Sequence, residues 1–171
     1  MGDDAIQLRI EPRFDKRYWL KVAVPVAARL STLDQFLRGT WLECCDHLRA
    51  FSATGRHGEE LSPALKVGDV FARRKSVEYV YDFGSSTELV IKRVKSVPAR
   101  TKEILLLARN EPPAESCDEC GGAATSICVD CSLDEGGLFC GEHAQDHECG
   151  EERLLPVVNS PRMGVCGYGG W

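Results

Sequence analysis

The sequence predicts an α+β protein: a small mixed sheet with one main packed helix, followed by a small zinc-binding cross-brace module. Three observations carry this expectation. Runs of strand length, alternating or continuously apolar, occupy residues 6–26 and 76–108. One segment from about Thr32 repeats apolar residues at helical spacing. Six of the nine cysteines fall between Cys117 and Cys149, interleaved with two histidines. With 171 residues, 43% of them apolar and 27% charged, the chain has room for one ordinary core and a metal-held appendage. The expected layout is an α+β domain over residues 1–110, a linker over 111–116, the zinc-binding module over 117–149 and an irregular tail over 150–171.

Each element has a local reason. Ile6, Leu8 and Ile10 alternate with Gln7, Arg9 and Glu11, which predicts a half-buried strand; Trp19 to Val24 forms a second, more apolar one that Pro25 closes. Ser31 with Asp34 three residues on resembles a capping box, and Leu33, Phe36, Leu37 and Trp41 continue the helical stripe. Gly39 should bend or end that helix before Trp41 to Cys45 complete the turn, putting Cys45 on the apolar face as a small buried thiol. A short strand is expected within 47–54 and a loop over 55–66. Val77, Tyr79 and Tyr81 then alternate toward the turn residues 82–86, and residues 87–97 return as the second strand of a hairpin. Ile104 to Ala108, apolar on both faces, reads as a central strand. Two prolines hold the linker extended.

The densest chemistry lies in four ligand pairs: Cys117/Cys120, Cys128/Cys131, Cys140/His143 and His147/Cys149. A two-residue gap lets both thiolates of a Cys-x-x-Cys knuckle reach one ion, and eight such ligands suffice for two tetrahedral zinc ions. Few large apolar residues lie between the pairs, chiefly Ile127, Val129, Leu133, Leu138 and Phe139, so the metal must supply the folding energy. Four protein ligands per ion leave no open position for water or substrate, which makes both zinc ions structural. The histidines favour zinc over an iron–sulfur cluster. Three pairings of the four pairs are conceivable. The cross-brace, with Cys117, Cys120, Cys140 and His143 on one ion and Cys128, Cys131, His147 and Cys149 on the other, is preferred. Its spacing, C-x2-C-x7-C-x2-C-x8-C-x2-H-x3-H-x-C, resembles that of B-box-type zinc fingers, whose first and third pairs share a metal.

Charge is divided unevenly. Residues 1–110 carry 19 Lys+Arg against 14 Asp+Glu, a net +5, whereas residues 111–171 carry 2 against 12, a net −10. Binding two zinc ions through six thiolates takes the acidic part to about −12. Such a module repels phosphate backbones; its acidity either keeps it soluble or docks a basic partner. The basic clusters Arg73-Arg74-Lys75 and Lys92, Arg93, Lys95 make nucleic acid a conceivable partner through residues 73–102, against the commoner reading of a solvated strand edge.

Outside the module, Cys44, Cys45 and His47 could form a nucleophile–base group, and Cys166 sits among glycines. Asp82-Phe83-Gly84 matches the metal-binding triplet of kinases by letters alone and is read as a hairpin turn. No run reaches the roughly 18 apolar residues of a membrane span. The opening MGDDAIQLRIEPRF lacks a secretory pattern, and Ile6 stands where a myristoylation motif needs Ser or Thr, so a cytoplasmic protein is expected.

Tyr18 to Val22, Leu42-Glu43-Cys44-Cys45-Asp46-His47-Leu48, Val67-Gly68-Asp69 and Tyr81-Asp82-Phe83-Gly84 resemble the plasmid open-reading-frame-three-like family, also called insertion-element passenger proteins. The ending Leu155 to Tyr168, with the B-box-like extension, resembles its zinc-bearing members. The resemblance spans about residues 5–110 and implies a compact α+β domain without a settled activity. The recombinase label sometimes given to the family is not supported, since the chain has no recognisable nucleophile with an arginine cluster and no helix-turn-helix. The expectation is a non-enzymatic binding or adaptor protein with an unidentified protein partner, associated with mobile elements. The alternatives are a cysteine-dependent enzyme using Cys44, Cys45 or Cys166, and nucleic-acid binding by the basic domain.

Overall fold

The computed structural model describes residues 4–54, 58–98, 102–134 and 136–170. Its contacts divide the chain into two units: residues 4–40 with 47–110 of the described chain, and 41–46 with 111–170.

The first unit is a seven-stranded sheet with two helices. Its strands are β1 (Asp4–Pro12), β2 (Leu20–Pro25), β3 (Arg49–Ala53), β4 (Glu60–Leu61), β5 (Ser76–Tyr81), β6 (Thr87–Pro98) and β7 (Leu105–Arg109). They lie in the order β4-β3-β5-β6-β1-β2-β7, and every pairing is antiparallel. The alternation read from sequence sets the faces: Ile6, Leu8 and Ile10 are buried, as are Val77, Tyr79 and Tyr81, while Gln7, Arg9, Glu78 and Val80 are half-buried.

Helix α1 (Leu30–Leu37) buries Leu30, Leu33 and Leu37, each worth about 2 kcal/mol relative to exposure. The expected capping box does not form. Arg29 takes the cap position with no side-chain hydrogen bond, and Asp34 is itself buried, accepting bonds from the Tyr79 hydroxyl at 2.6 Å and Arg49 Nε at 3.2 Å. A carboxylate facing a phenol and a guanidinium serves as an anchor to β5 and β3 rather than as a cap. Past Leu37 the helix widens into a π-helical turn, Arg38–Leu42, which contains Gly39. Helix α2 (Val67–Arg73), absent from the sequence reading, begins where Gly68 passes close to Val26. A Cβ on Gly68 would lie 2.8 Å from the Val26 Cβ and 2.9 Å from its carbonyl oxygen, so only glycine fits there.

One strand is placed differently from expectation. The apolar run ending in β7 is an edge strand, paired only with β2 among the described strands, and leaves Leu106 and Leu107 44% and 50% exposed. Residues 82–86 do make the hairpin turn. The Asp82 carboxylate accepts the Gly84 and Ser85 amides at 3.0 and 3.2 Å, which accounts for its left-handed φ of 65°.

The second unit has a three-stranded antiparallel sheet, order β10-β8-β9, from β8 (Ser126–Cys128), β9 (Leu138–Phe139) and β10 (Leu154–Pro156), with the short helix α3 (Gly141–Gln145). The tail expected to be irregular therefore supplies a strand: Leu154 pairs with Cys128 and Leu155 with Ile127. Beyond β10, Arg162 and Tyr168 are buried at 0% and 2% exposure. No helix among the described residues is long and apolar enough to cross a membrane.

Candidate metal centres

Two groups of four ligands form in the second unit, and the pairing is the crossed one. Cys117, Cys120, Cys140 and His143 converge, and so do Cys128, Cys131, His147 and Cys149, with the ligand atoms of each group within 4.8 Å of one another. His143 and His147, although four residues apart, serve different groups because α3 ends at Gln145 between them.

Hydrogen bonds shape both knuckles. At the first, Gly122 accepts the Cys117 amide at 2.7 Å and Cys117 accepts that of Gly121 at 2.8 Å. The Asp118 carboxylate then accepts the amides of Gly137 and Leu138 at 2.7 and 2.9 Å, tying this knuckle to β9. At the second, Gly137 with φ 95° accepts the Cys128 amide at 2.8 Å, and Arg153 forms an ion pair with Asp130. The His147 ring lies on Phe139 with centroids 4.3 Å apart, which fixes its direction.

Tetrahedral zinc, with bonds of about 2.3 Å to sulfur and about 2.0 Å to nitrogen, requires S···S near 3.8 Å and S···N near 3.5 Å. Cys120 and Cys140 sulfurs are 3.9 Å apart, and those of Cys131 and Cys149 are 3.8 Å apart. His143 Nδ1 lies 3.5 Å from Cys117 Sγ and 3.3 Å from Cys140 Sγ, and His147 Nε2 lies 3.5 Å from Cys131 Sγ. All nine cysteines are free of disulfides. The donor spacing therefore suits a four-coordinate metal ion.

The thiols also oppose one another in the way a cation would relieve. Burial pushes the Cys117 thiol up, but the amides of Cys140, Cys120 and Glu119 outweigh it and bring it to about 6. At Cys128 burial is likewise outweighed, by the Cys131 amide, His147 and the Asp130 amide, to about 7. Burial and then the neighbouring Cys128 and Cys149 push Cys131 up to about 12. Once one thiol in each group ionises its neighbours resist, so a dication is what permits all to bind as thiolates.

Leu133, counted among the apolar residues of the module, is 83% exposed and contributes nothing to its core. Cys45, expected to be buried, is exposed, because the helical stretch ends at Leu42 and Cys44 and Cys45 follow it. Cys166 is exposed as well, and its sulfur is 3.7 Å from that of Cys45. The Cys166 contact, then burial and Cys44, push the Cys45 thiol up to about 11, the opposite of an activated nucleophile. The His47 ring stands edge-on to Tyr81, with Nε2 3.7 Å from the Asp82 carboxylate.

The basic residues of the sheet are mostly engaged. Glu11 accepts Lys92 at 2.6 Å, Arg9 at 3.0 Å and Lys16 at 3.2 Å, and Arg93 donates to the Phe71 carbonyl and to Ser96. Arg100 lies outside the described residues. Away from the 73–102 clusters, the Trp19 ring carries the Arg9 guanidinium 5.0 Å from its centroid and the Lys21 amine at 5.6 Å. The strand register could have disclosed it, since Arg9 pairs with Lys21 across β1 and β2.

A solved structure shares this fold. It is that of MM3350 from Methanosarcina mazei Go1, a protein of unknown function, at TM-score 0.56 and 16% identity over 89% of this chain and 86% of that one. No family model and no curated protein matches the chain. The likeness supports the architecture and says nothing of activity.

Proposed function

We propose that the protein is a non-enzymatic, zinc-binding adaptor of the cytoplasm, in which two structural zinc ions hold the C-terminal module and the α+β unit presents a protein-binding surface. The observation that carries this reading is the closure of both ligand groups: each offers three thiols and one imidazole at tetrahedral spacing, a complete set for zinc with no position left for a reactant. Bound zinc would neutralise the crowded thiolates and fix the loops between them. On the first unit, Leu48, Phe51, Leu61 and Pro63 line a groove of about 410 Å³ with Asp34 and Arg49 at its polar side, a composition suited to an apolar anchor beside a polar contact. The resemblance to insertion-element passenger proteins supports a role alongside mobile elements.

X-ray absorption on Cys120→Ser and Cys149→Ser, each also carrying Cys166→Ser so that no thiol cluster outside the module contributes, tests the zinc assignment, because each variant retains one intact module site. The expected first shell at the retained site is three sulfurs and one nitrogen, with each variant losing one module zinc ion. An oxygen ligand at a retained site would mark an open, catalytic position and sink the adaptor reading.

A second reading, nucleic-acid binding by the first unit, is favoured by Trp19 between Arg9 and Lys21, since a base can stack on such a ring while cations meet the backbone. It requires salt-sensitive binding of single strands by the full chain that Trp19→Ala weakens markedly. Binding that is absent, or indifferent to salt and to that substitution, excludes it.

A further inference from the structure

We propose that Cys44, Cys45 and Cys166 bind a third metal ion of the zinc class, separate from the two held by the eight ligands of the module. All three thiols belong to the second unit, and their sulfurs lie within 4.8 Å of one another. The Cys45–Cys166 separation of 3.7 Å equals the spacing across the two module groups, 3.8 and 3.9 Å, within a fraction of an ångström. A disulfide needs about 2.0 Å, whereas two thiolates on one zinc ion need about 3.8 Å.

The surroundings supply an independent argument from charge. Arg162 is fully buried and its Nε donates to Cys44 Sγ at 3.4 Å. Three thiolates on a dication leave a net charge of −1, and a guanidinium buried against one of those sulfurs balances it while orienting the ligand. The peptide around Arg162 is held for this purpose: Ser160 Oγ donates to the Trp41 carbonyl at 2.7 Å and accepts the Arg162 amide at 2.9 Å. Cys166 has φ 57°, a left-handed conformation unusual for a non-glycine residue, within the turns from Arg162 to Val165 and from Val165 to Tyr168.

Three thiolates leave one coordination position. A water molecule can complete the tetrahedron there. The ion would pin the C-terminal tail to residues 41–46, a short stretch of the N-terminal sequence that belongs to the second unit.

The test uses the full chain, purified under reductant and loaded with zinc alone. Elemental analysis should give three zinc ions per chain for the wild type and two for Cys166→Ser, with the module ions retained. The second measurement needs no variant: alkylation of the native protein read by mass spectrometry. Cys45 and Cys166, both exposed, should be protected while zinc is bound and should label measurably faster after chelation. Two ions in the wild type, an unchanged count in Cys166→Ser, labelling of these cysteines as fast in the zinc-loaded protein as after chelation, or a Cys45–Cys166 disulfide in the reduced preparation would each overturn the proposal. None of these outcomes touches the eight module ligands, so the adaptor reading is tested separately.

Discussion

Glu11→Gln should destabilise the sheet in a manner that depends on pH. The Glu11 residue is 6% exposed and its carboxylate receives charge-assisted bonds from Lys92, Arg9 and Lys16. Burial alone would raise its pKa; the three cationic donors outweigh burial and hold the group at about 2, against an ordinary 4.5. At roughly 1.4 kcal/mol per pKa unit this sets an upper limit of about 3 kcal/mol. The Lys16 and Lys92 side chains are 52% and 49% exposed, and water screens their contribution. About 2 kcal/mol at neutral pH is the resulting expectation. Because the folded pKa is depressed, this stabilisation is complete above the unfolded value of 4.5 and is lost as pH falls toward 2.

The assay is urea unfolding of the wild type and the variant as full chains, followed by far-ultraviolet circular dichroism. At about pH 7 the variant should be less stable by about 2 kcal/mol, and at about pH 3 the gap should fall to less than half. Acid also strips metal from thiolates, so the quantity read is the difference between the two proteins at each pH. A gap below about 0.5 kcal/mol at neutral pH, or one that does not change with pH, would refute the argument that the three cations act through the ionised carboxylate.

Two further substitutions address the buried anchor and the second metal group. Tyr79→Phe removes the 2.6 Å hydrogen bond to buried Asp34 and should cost about 1–3 kcal/mol in the same unfolding experiment; a cost near zero would mean that Arg49 alone satisfies Asp34. Gly137→Ala places a Cβ 3.0 Å from the Cys131 Cβ and 3.1 Å from the Cys128 carbonyl oxygen at a φ of 95°, so zinc should be lost more readily to a competing chelator from the group containing Cys128 and Cys131. Retention equal to the wild type would show that this turn does not set the site.

The parts of the fold legible in the sequence are those where one local rule decides. Alternation exposed β1 and β5, the turn residues exposed the β5–β6 hairpin, and spacing located the four ligand pairs, whose crossed grouping was expected from the resemblance to B-box-type fingers. Tertiary context overrode the rest. Asp34 looked like a cap by its distance from Ser31, but Tyr79 and Arg49 claim its oxygens. Helix α2 is seven residues long and starts at a glycine required by Val26, information absent from its own periodicity. β7 is apolar enough for a central strand, yet its place in the strand order leaves it at the edge. Cys45 and Cys166 are 121 residues apart, and no local pattern announces that their sulfurs meet.

The same distinction bears on what the metal does. Between Cys117 and Cys149 the described apolar residues that are buried, apart from two ligand cysteines, are Ile127 and Phe139. Burying both contributes about 5 kcal/mol at most, far less than the conformational entropy of ordering this stretch. Yet the stretch holds knuckles, a short sheet and an oriented histidine, each defined by hydrogen bonds that converge on ligand positions. On the zinc reading proposed above, order of that kind, with so little apolar burial, makes metal coordination and folding of the module one event. A site whose ligands are also its scaffold has little freedom to open for a reactant, so the recognition proposed above would fall to the groove and the Trp19 face of the sheet.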